Sequence, residues 1–319
     1  MIKNKIIIII SGPTGVGKSD FAEKLARTLP IEIINADVGQ FYKPLTIGTA
    51  KPDFTETRVP HHLFDILNTP INFSVSAFRD RVSSLLTEIW DRDHIPVLVG
   101  GSLFYLSSLF FPPRVGEIET VDTFKNVHTD ALWHKLYAID PERARAIEKN
   151  DRYRIIRALN IWLSTGCLPS YYAPHYDPLC PYLFYFLTRD TKLLNQRINS
   201  RVKKMIAKGW IAEVEQLISS DWIPFLKEKR LIGYNDIIQF LEKGNQEEYA
   251  RLIEIVSRKT RRYAKRQKTF WRRLKLQLTN HIQRKQDSQS VVYTLDLNQN
   301  NESEYITKIS TQLKERSSK

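Results

Sequence analysis

Residues 6–19, IIIIISGPTGVGKS, constrain this chain more than any other stretch. Ile6 to Ile10 are five consecutive β-branched residues, and an unalternating run of that length predicts a central strand buried on both faces. Gly12 to Ser19 then fit the pattern G-x-x-x-x-G-K-[ST], and the following KSDFAEKLARTL places Phe21, Leu25 and Leu29 four apart, as one face of a helix does. A strand and a helix flanking the loop supply the context that gives the motif physical meaning. The loop of Gly12, Pro13, Thr14, Gly15, Val16 and Gly17 is expected to turn backbone N–H groups toward phosphate oxygens at a helix N-terminus. Lys18 would neutralise those oxygens and Ser19 would ligate Mg²⁺. The motif does not say whose phosphates they are, since any diphosphate fits.

The same alternation continues. IEIINAD, HLFDIL and IPVLVGGS read as further strands, the last preceded by the helical pattern SVSAFRDRVSSLLTEIW. Strand and helix in turn predict an α/β fold: a P-loop NTPase-like parallel sheet flanked by helices, with ligands at the carboxyl ends of the strands. From Phe111 the character changes. FPPRVGEIETVD is a break, and residues 130–166 are helical in pattern throughout. YLFYFLT resumes the strand pattern after a second break, LPSYYAPHYDP. The expected organisation is therefore a first part of the α/β core at 1–111, an all-helical insertion domain at 112–177, and the second part of the core at 178–319. A flexible loop is expected at TNHIQRKQDSQS, followed by a late strand, SVVYTLDL, and a closing helix.

Two cysteines in 319 residues, Cys167 and Cys180, exclude a disulfide scaffold and a zinc site, and point to a reducing, cytoplasmic compartment. No segment approaches the ~20 apolar residues of a membrane span. Lys and Arg outnumber Asp and Glu by 48 to 35, and the excess is concentrated: eleven of the residues from Arg251 to Lys275 are basic against the single acid Glu254. A solvated helix face would intersperse acids, so this helix predicts contact with a phosphate backbone. Arg154 and Arg157, three apart in RYRIIR, form a second candidate clamp.

A nucleotide-hydrolysing site would need a further carboxylate after an apolar strand to hold its metal. Asp65 and Asp37 are the candidates, yet VLVGGSLFY, the strand most suited to carry it, ends in Gly100-Gly101-Ser102. Asp37 stands in NADVGQFY, followed by small, polar and flat groups suited to an organic substrate. On pattern alone it is either a cap or loop acid or a functional carboxylate.

The motifs GPTGVGKS, NADVGQFYKPLTIGTAKP, PHHLFDI, VLVGGSLFYL, NDRYRIIRALNIWLSTG, RINSRVKKMIAKGWIAEV, IGYNDIIQFLEKG and TRRYAKRQKTFWRR together resemble, in the same order, those of the bacterial tRNA dimethylallyltransferases, from about residue 6 to 273. The resemblance implies transfer of a dimethylallyl group from dimethylallyl diphosphate to N6 of the adenosine just 3′ of the anticodon, in tRNAs reading codons that begin with U. It implies Asp37 as the base for the amine, Ser102 as a positioning group, and Lys18 and Arg201 on the diphosphate. Mg²⁺ would be held with the help of Ser19. The same resemblance places Asp37, Val38, Gly39, Gln40, Ser102, Arg154, Arg157, Lys265, Arg266, Gln267, Thr269 and Arg272 on the anticodon stem-loop, and implies a monomer. The chain departs from the family pattern at Val38 (usually Ser), Ser102 (Thr), Leu103 (Gly) and Lys203 (Asp), marking a divergent member. Two other readings accompany this one: an adenylate isopentenyltransferase acting on free AMP or ATP, and an RNA-binding P-loop paralogue.

Overall fold

The computed structural model describes residues 5–53, 57, 59–115, 124–243, 248–298 and 301–318. The isoleucine run becomes β1 (Ile7–Ser11), every residue of which is buried, and the P-loop leads into α1 (Lys18–Ala26), whose Phe21, Ala22 and Leu25 are buried. There follow β2 (Ile31–Asn35), β3 (His61–His62), α2 (Val75–Asp91), β4 (Ile95–Val99) and α3 (Leu103–Ser108). Next come α4 (Thr129–Ile139), α5 (Pro141–Arg145) and α6 (Arg152–Thr165). After β5 (Tyr182–Thr188) the chain is mostly helical, with α7 (Thr191–Ala207), α8 (Trp210–Glu215), α9 (Trp222–Lys229), α10 (Tyr234–Lys243) and α11 (Tyr249–Arg284), before β6 (Val291–Asp296) and α12 (Glu302–Ser318) close it.

All pairings are parallel, in the order β3-β2-β4-β1-β5-β6. The strands β1, β2 and β4 are adjacent, so the loops at their carboxyl ends meet above the middle of the sheet. Those loops are the P-loop, Ala36–Val38 and Gly100–Ser102. The core cluster on one side of the sheet joins Ile8, Ile10, Val97 and Leu183 to Phe21 and Leu25 of α1 and to Ile306 and Ile309 of α12. A second cluster, around Trp210, Trp222, Tyr234 and Val256, holds α7 to α11 together.

Two compact units emerge: the chain up to Ser107 with Leu179 onward, and Ser108–Pro178. The second is helical among its described residues, with Leu132, Leu136, Ile155 and Leu159 at its centre. Part of the expected break at FPPRVGEIETVD, residues 116–123, lies outside the described residues.

Two expectations need correction. HLFDIL is not a full strand: only His61–His62 pair with β2, because Leu63 and Asp65 take positive φ angles of 61° and 54° and turn the backbone out of the ladder. The first half of the flexible loop expected from Thr279 to Ser290 is helix, since α11 runs to Arg284, about 54 Å at 1.5 Å per residue. Its buried stripe includes Trp271, which stacks on Phe186 at 4.4 Å between ring centroids, and Leu278. Burial of that stripe carries the helix past the point where its local pattern weakens. No described helix is long and apolar enough to cross a membrane.

Candidate active site

The P-loop is held from several sides. Gly17 adopts φ 109°, a left-handed turn that glycine takes without strain, immediately before α1 begins. Arg189 Nε donates to the Val16 carbonyl and Arg197 Nε to that of Gly15, both at 2.9 Å. Among the described residues, Lys18 Nζ makes only long bonds, 3.2 and 3.4 Å, to the Gly12 and Pro13 carbonyls. Burial lowers the Lys18 pKa; the charge of Asp37 opposes that shift and the charge of Arg201 adds to it. Arg201, on α7, is likewise lowered by burial, with Asp37 and Asp20 acting against the shift and Arg197 with it. These cations crowd one another with few anions between them, an arrangement that an incoming polyanion would relieve.

Asp37 leaves β2 two residues beyond its end. Asn35 fixes it: Oδ1 of Asn35 accepts from the Asp37 N–H at 2.8 Å, while Nδ2 donates to the carbonyls of Asp37 and Leu63. The carboxylate Oδ1 accepts from the Gly101 N–H at 2.8 Å and faces the Ser102 hydroxyl at 3.5 Å. Ser102 Oγ in turn accepts from the Val38 N–H at 3.0 Å. Oδ2 has no hydrogen bond among the described residues, so one carboxylate oxygen is anchored and the other is open. The loops approach this closely because Gly100 lacks a side chain; a Cβ there would lie 2.2 Å from the Ala36 carbonyl.

Lys18, Ser19, Asp37, Val38, Ser102, Arg201 and Gln267 all line one cavity of about 730 Å³, with Thr14, Gly15 and Gly17 at its phosphate end. Its wall also carries apolar groups, among them Phe64, Val202, Met205 and Trp210. A cavity lined by the P-loop with Lys18 and Arg201, by a carboxylate with one oxygen open, and by apolar groups suits a ligand that is part diphosphate and part hydrocarbon.

The profile of the IPP transferase family matches residues 40–274. The chain belongs to this family. A tRNA dimethylallyltransferase from Geobacter sulfurreducens is 38% identical over 282 residues, 84% of this chain and 89% of the relative. One from Carboxydothermus hydrogenoformans is 41% identical over 285 residues, with the same coverage. The crystal structure of a tRNA isopentenylpyrophosphate transferase from Bacillus halodurans superposes with a TM-score of 0.66 at 31% identity, covering 99% of both chains. A eukaryotic dimethylallyltransferase acting on tRNA superposes at 0.73 with 27% identity, covering 96% of this chain and 77% of that one.

The other expected site residues of this IPP transferase family member take varied places. Asp65, weighed as a metal ligand, is paired instead with Lys51, whose ammonium is buried and also donates to the Tyr42 carbonyl. Gln40 turns inward: its Nε2 donates to the carbonyls of Thr49 at 3.1 Å and Ala50 at 3.4 Å. Gln267 is buried, and both ends of its carboxamide are engaged within the protein. Lys265, Arg266, Thr269 and Arg272 are exposed on α11, and Arg266 also borders the cavity, stacked over Tyr263. In the helical unit, Arg154 is exposed and pairs with Asp151 at 3.4 Å, while Arg157 is half-buried. Pro13 and Val16 are buried under the loop, with Gly12 against the Leu187 carbonyl.

Sequence reasoning missed Asn35, Arg189, Arg197, Tyr263 and Glu213. Glu213 accepts from the backbone N–H groups of Thr46, Ile47 and Gly48 and from the Tyr234 hydroxyl, so it holds the TIGTAKP loop over the cavity. The Arg-x₃-Arg spacing of Arg197 and Arg201 on one helix face was the available signal for Arg197. The described residues contain no cluster of three His, Cys, Asp or Glu able to hold a metal by themselves. Ser19 and Asp20 do line the cavity beside the loop. That sparse oxygen set fits Mg²⁺, which keeps much of its water and binds through substrate phosphates, rather than a metal in a protein cage.

Proposed function

We propose that this chain transfers a dimethylallyl group from dimethylallyl diphosphate to N6 of the adenosine 3′-adjacent to the anticodon, in tRNAs reading codons that begin with U. The products are N6-(dimethylallyl)adenosine and diphosphate. The observation that carries the reading is the half-anchored Asp37 carboxylate sharing a cavity with Lys18 and Arg201. The lone pair of N6 attacks C1 of the donor, the C1–O bond breaks with its electrons leaving on the diphosphate, and the N6 proton passes to Asp37. Oδ2 is the oxygen free to take it. Lys18, Arg201 and the P-loop N–H groups face the oxygen that gains charge, which is where preorganised cations lower the barrier most. Mg²⁺, held with the help of Ser19, would add Lewis-acid neutralisation of the leaving group. Ser102 orients the base. The adenosine has to leave the stacked anticodon loop to reach this carboxylate, and the exposed cations of α11, with Arg154 and Arg157, supply the phosphate contacts.

Neither action on free AMP or ATP nor a non-catalytic role is favoured, because the relatives are tRNA dimethylallyltransferases over most of the chain. A monomeric protein in the cytoplasm fits the reading. Incubation with labelled dimethylallyl diphosphate, Mg²⁺, bulk tRNA and AMP, followed by nucleoside analysis, tests it. Label in tRNA as N6-(dimethylallyl)adenosine is expected; label in AMP alone, or in neither, would overturn it.

A further inference from the structure

Gln267 sits in the basic segment of α11, one residue from Arg266 and two from Lys265, yet it is buried to 4% exposure. Its Oε1 accepts from the Thr14 N–H of the P-loop at 2.9 Å, and its Nε2 donates to the Gly101 carbonyl at 2.8 Å. Gly101 is also the residue whose N–H anchors Asp37 Oδ1. One planar amide therefore ties the loop that would seat the donor diphosphate to the turn that holds the base. The space is matched to it: a Cβ on residue 101 would lie 2.3 Å from Gln267 Nε2, and 3.3 Å from both Asp37 Oδ1 and Lys18 Nζ.

The chemistry admits few substitutes. The position needs an acceptor and a donor at the two ends of one rigid group; glutamate lacks the donor, lysine and arginine lack the acceptor, and asparagine is one carbon short. Because Thr14 N–H is already engaged, the loop's remaining N–H groups are the ones left for phosphate.

We propose that Gln267 is a positioning residue rather than a tRNA contact: it sets the distance between the diphosphate seat and the base, and fastens the basic helix to both. The proposal rests on the functional reading above and deepens it. Misplacing reacting groups by about 1 Å costs about 100-fold in rate, so Gln267→Leu should lower kcat at saturating tRNA by about that factor. Its affinity for inorganic pyrophosphate, titrated calorimetrically with the protein alone, should fall about tenfold, the worth of one hydrogen bond that orders the loop. The dissociation constant for tRNA should stay within about twofold, with the salt dependence of binding retained, because no phosphate contact is removed.

If the leucine variant does not fold, Gln267→Glu decides. It keeps the shape and the Thr14 acceptor but sets an oxygen against the Gly101 carbonyl, so kcat should fall with tRNA affinity intact. In a double-mutant cycle, Gly101→Ala combined with Gln267→Leu should cost less than the product of the two single losses, since both disturb one contact. A native kcat with weakened tRNA binding and a shallower salt slope would make Gln267 a tRNA contact and overturn the proposal, and so would strict independence in the cycle. Should the wild-type protein transfer nothing to tRNA, the functional reading fails separately. The pyrophosphate titration still decides on Gln267: unchanged affinity in the variants overturns its role, and weakened affinity supports it.

Discussion

Strand β2 has a carboxylate near each end, and the structure treats the two in opposite ways. Glu32, at the start of the strand, is 1% exposed and fully engaged: Arg92 donates to both oxygens at 2.8 Å, His62 Nε2 lies 2.6 Å from Oε2, and His94 Nδ1 lies 2.8 Å from Oε1. Burial, the largest influence on it, pushes its carboxyl upward. The combined bonds from Arg92, His62 and His94 outweigh burial and hold it at about 2. Asp37, two residues past the other end, has one oxygen held by Gly101 and Ser102 and one oxygen without a hydrogen bond among the described residues, in a cavity also lined by Lys18 and Arg201. Saturated hydrogen bonding makes a buried carboxylate structural. Leaving one oxygen open, beside Lys18 and Arg201 at the carboxyl edge of a parallel sheet, makes it available for proton transfer.

The comparison can be broken at its reactive end first. Asp37→Asn keeps an acceptor for the Gly101 N–H but cannot take a proton, so labelled transfer to tRNA should fall about 10²–10⁴-fold, with tRNA affinity largely intact. Full activity in that variant would sink the distinction between the two carboxylates. Lys18→Ala and Arg201→Ala remove the cations that the open oxygen lacks the means to neutralise alone. Each should lower transfer by about 10²–10³-fold, read as kcat at saturating donor.

A change outside both ends should move binding and leave the chemistry alone. Lys265→Ala with Arg266→Ala should weaken tRNA binding and reduce the salt slope by about 2, one unit for each lost phosphate contact, while kcat at saturating tRNA holds. The smallest effect belongs to the saturated end. Glu32→Gln should lower stability by about 1–3 kcal/mol in denaturant unfolding and leave transfer at 25 °C unaltered. Since the folded carboxyl lies below its ordinary value of 4.5, at about 2, its contribution is complete above about pH 4.5. It is lost as the pH falls toward 2, so wild type and Glu32→Gln should converge in stability across that acid range. A gap that stayed constant there would show that Glu32 is not the titrating group.

What could be read in the sequence was local. The five-isoleucine run, the phosphate loop and the Phe21/Leu25 face specify a strand, a turn and a helix from residues within about 20 positions of one another. The place of Asp37 just beyond an apolar run was visible for the same reason. What could not be read was the pairing of side chains across the fold. Nothing near Asp65 announced that Lys51 would neutralise it, and nothing near Glu32 announced two histidines and an arginine. The turn at Leu63 and Asp65 was also hidden, because HLFDIL has strand composition and only the backbone shows positive φ.

Gln267 marks the boundary most clearly. The sequence by itself determined that it lies on a basic helix, since eleven cations against one acid admit little else, and that a phosphate loop precedes an isolated carboxylate. Only the tertiary structure decided that its amide faces inward, reaching Thr14 across 253 positions and Gly101 across 166. Periodicity records which face of a helix is buried on average. Which polar group is buried with that face, and what satisfies it, depends on loops brought together by the order of strands in the sheet.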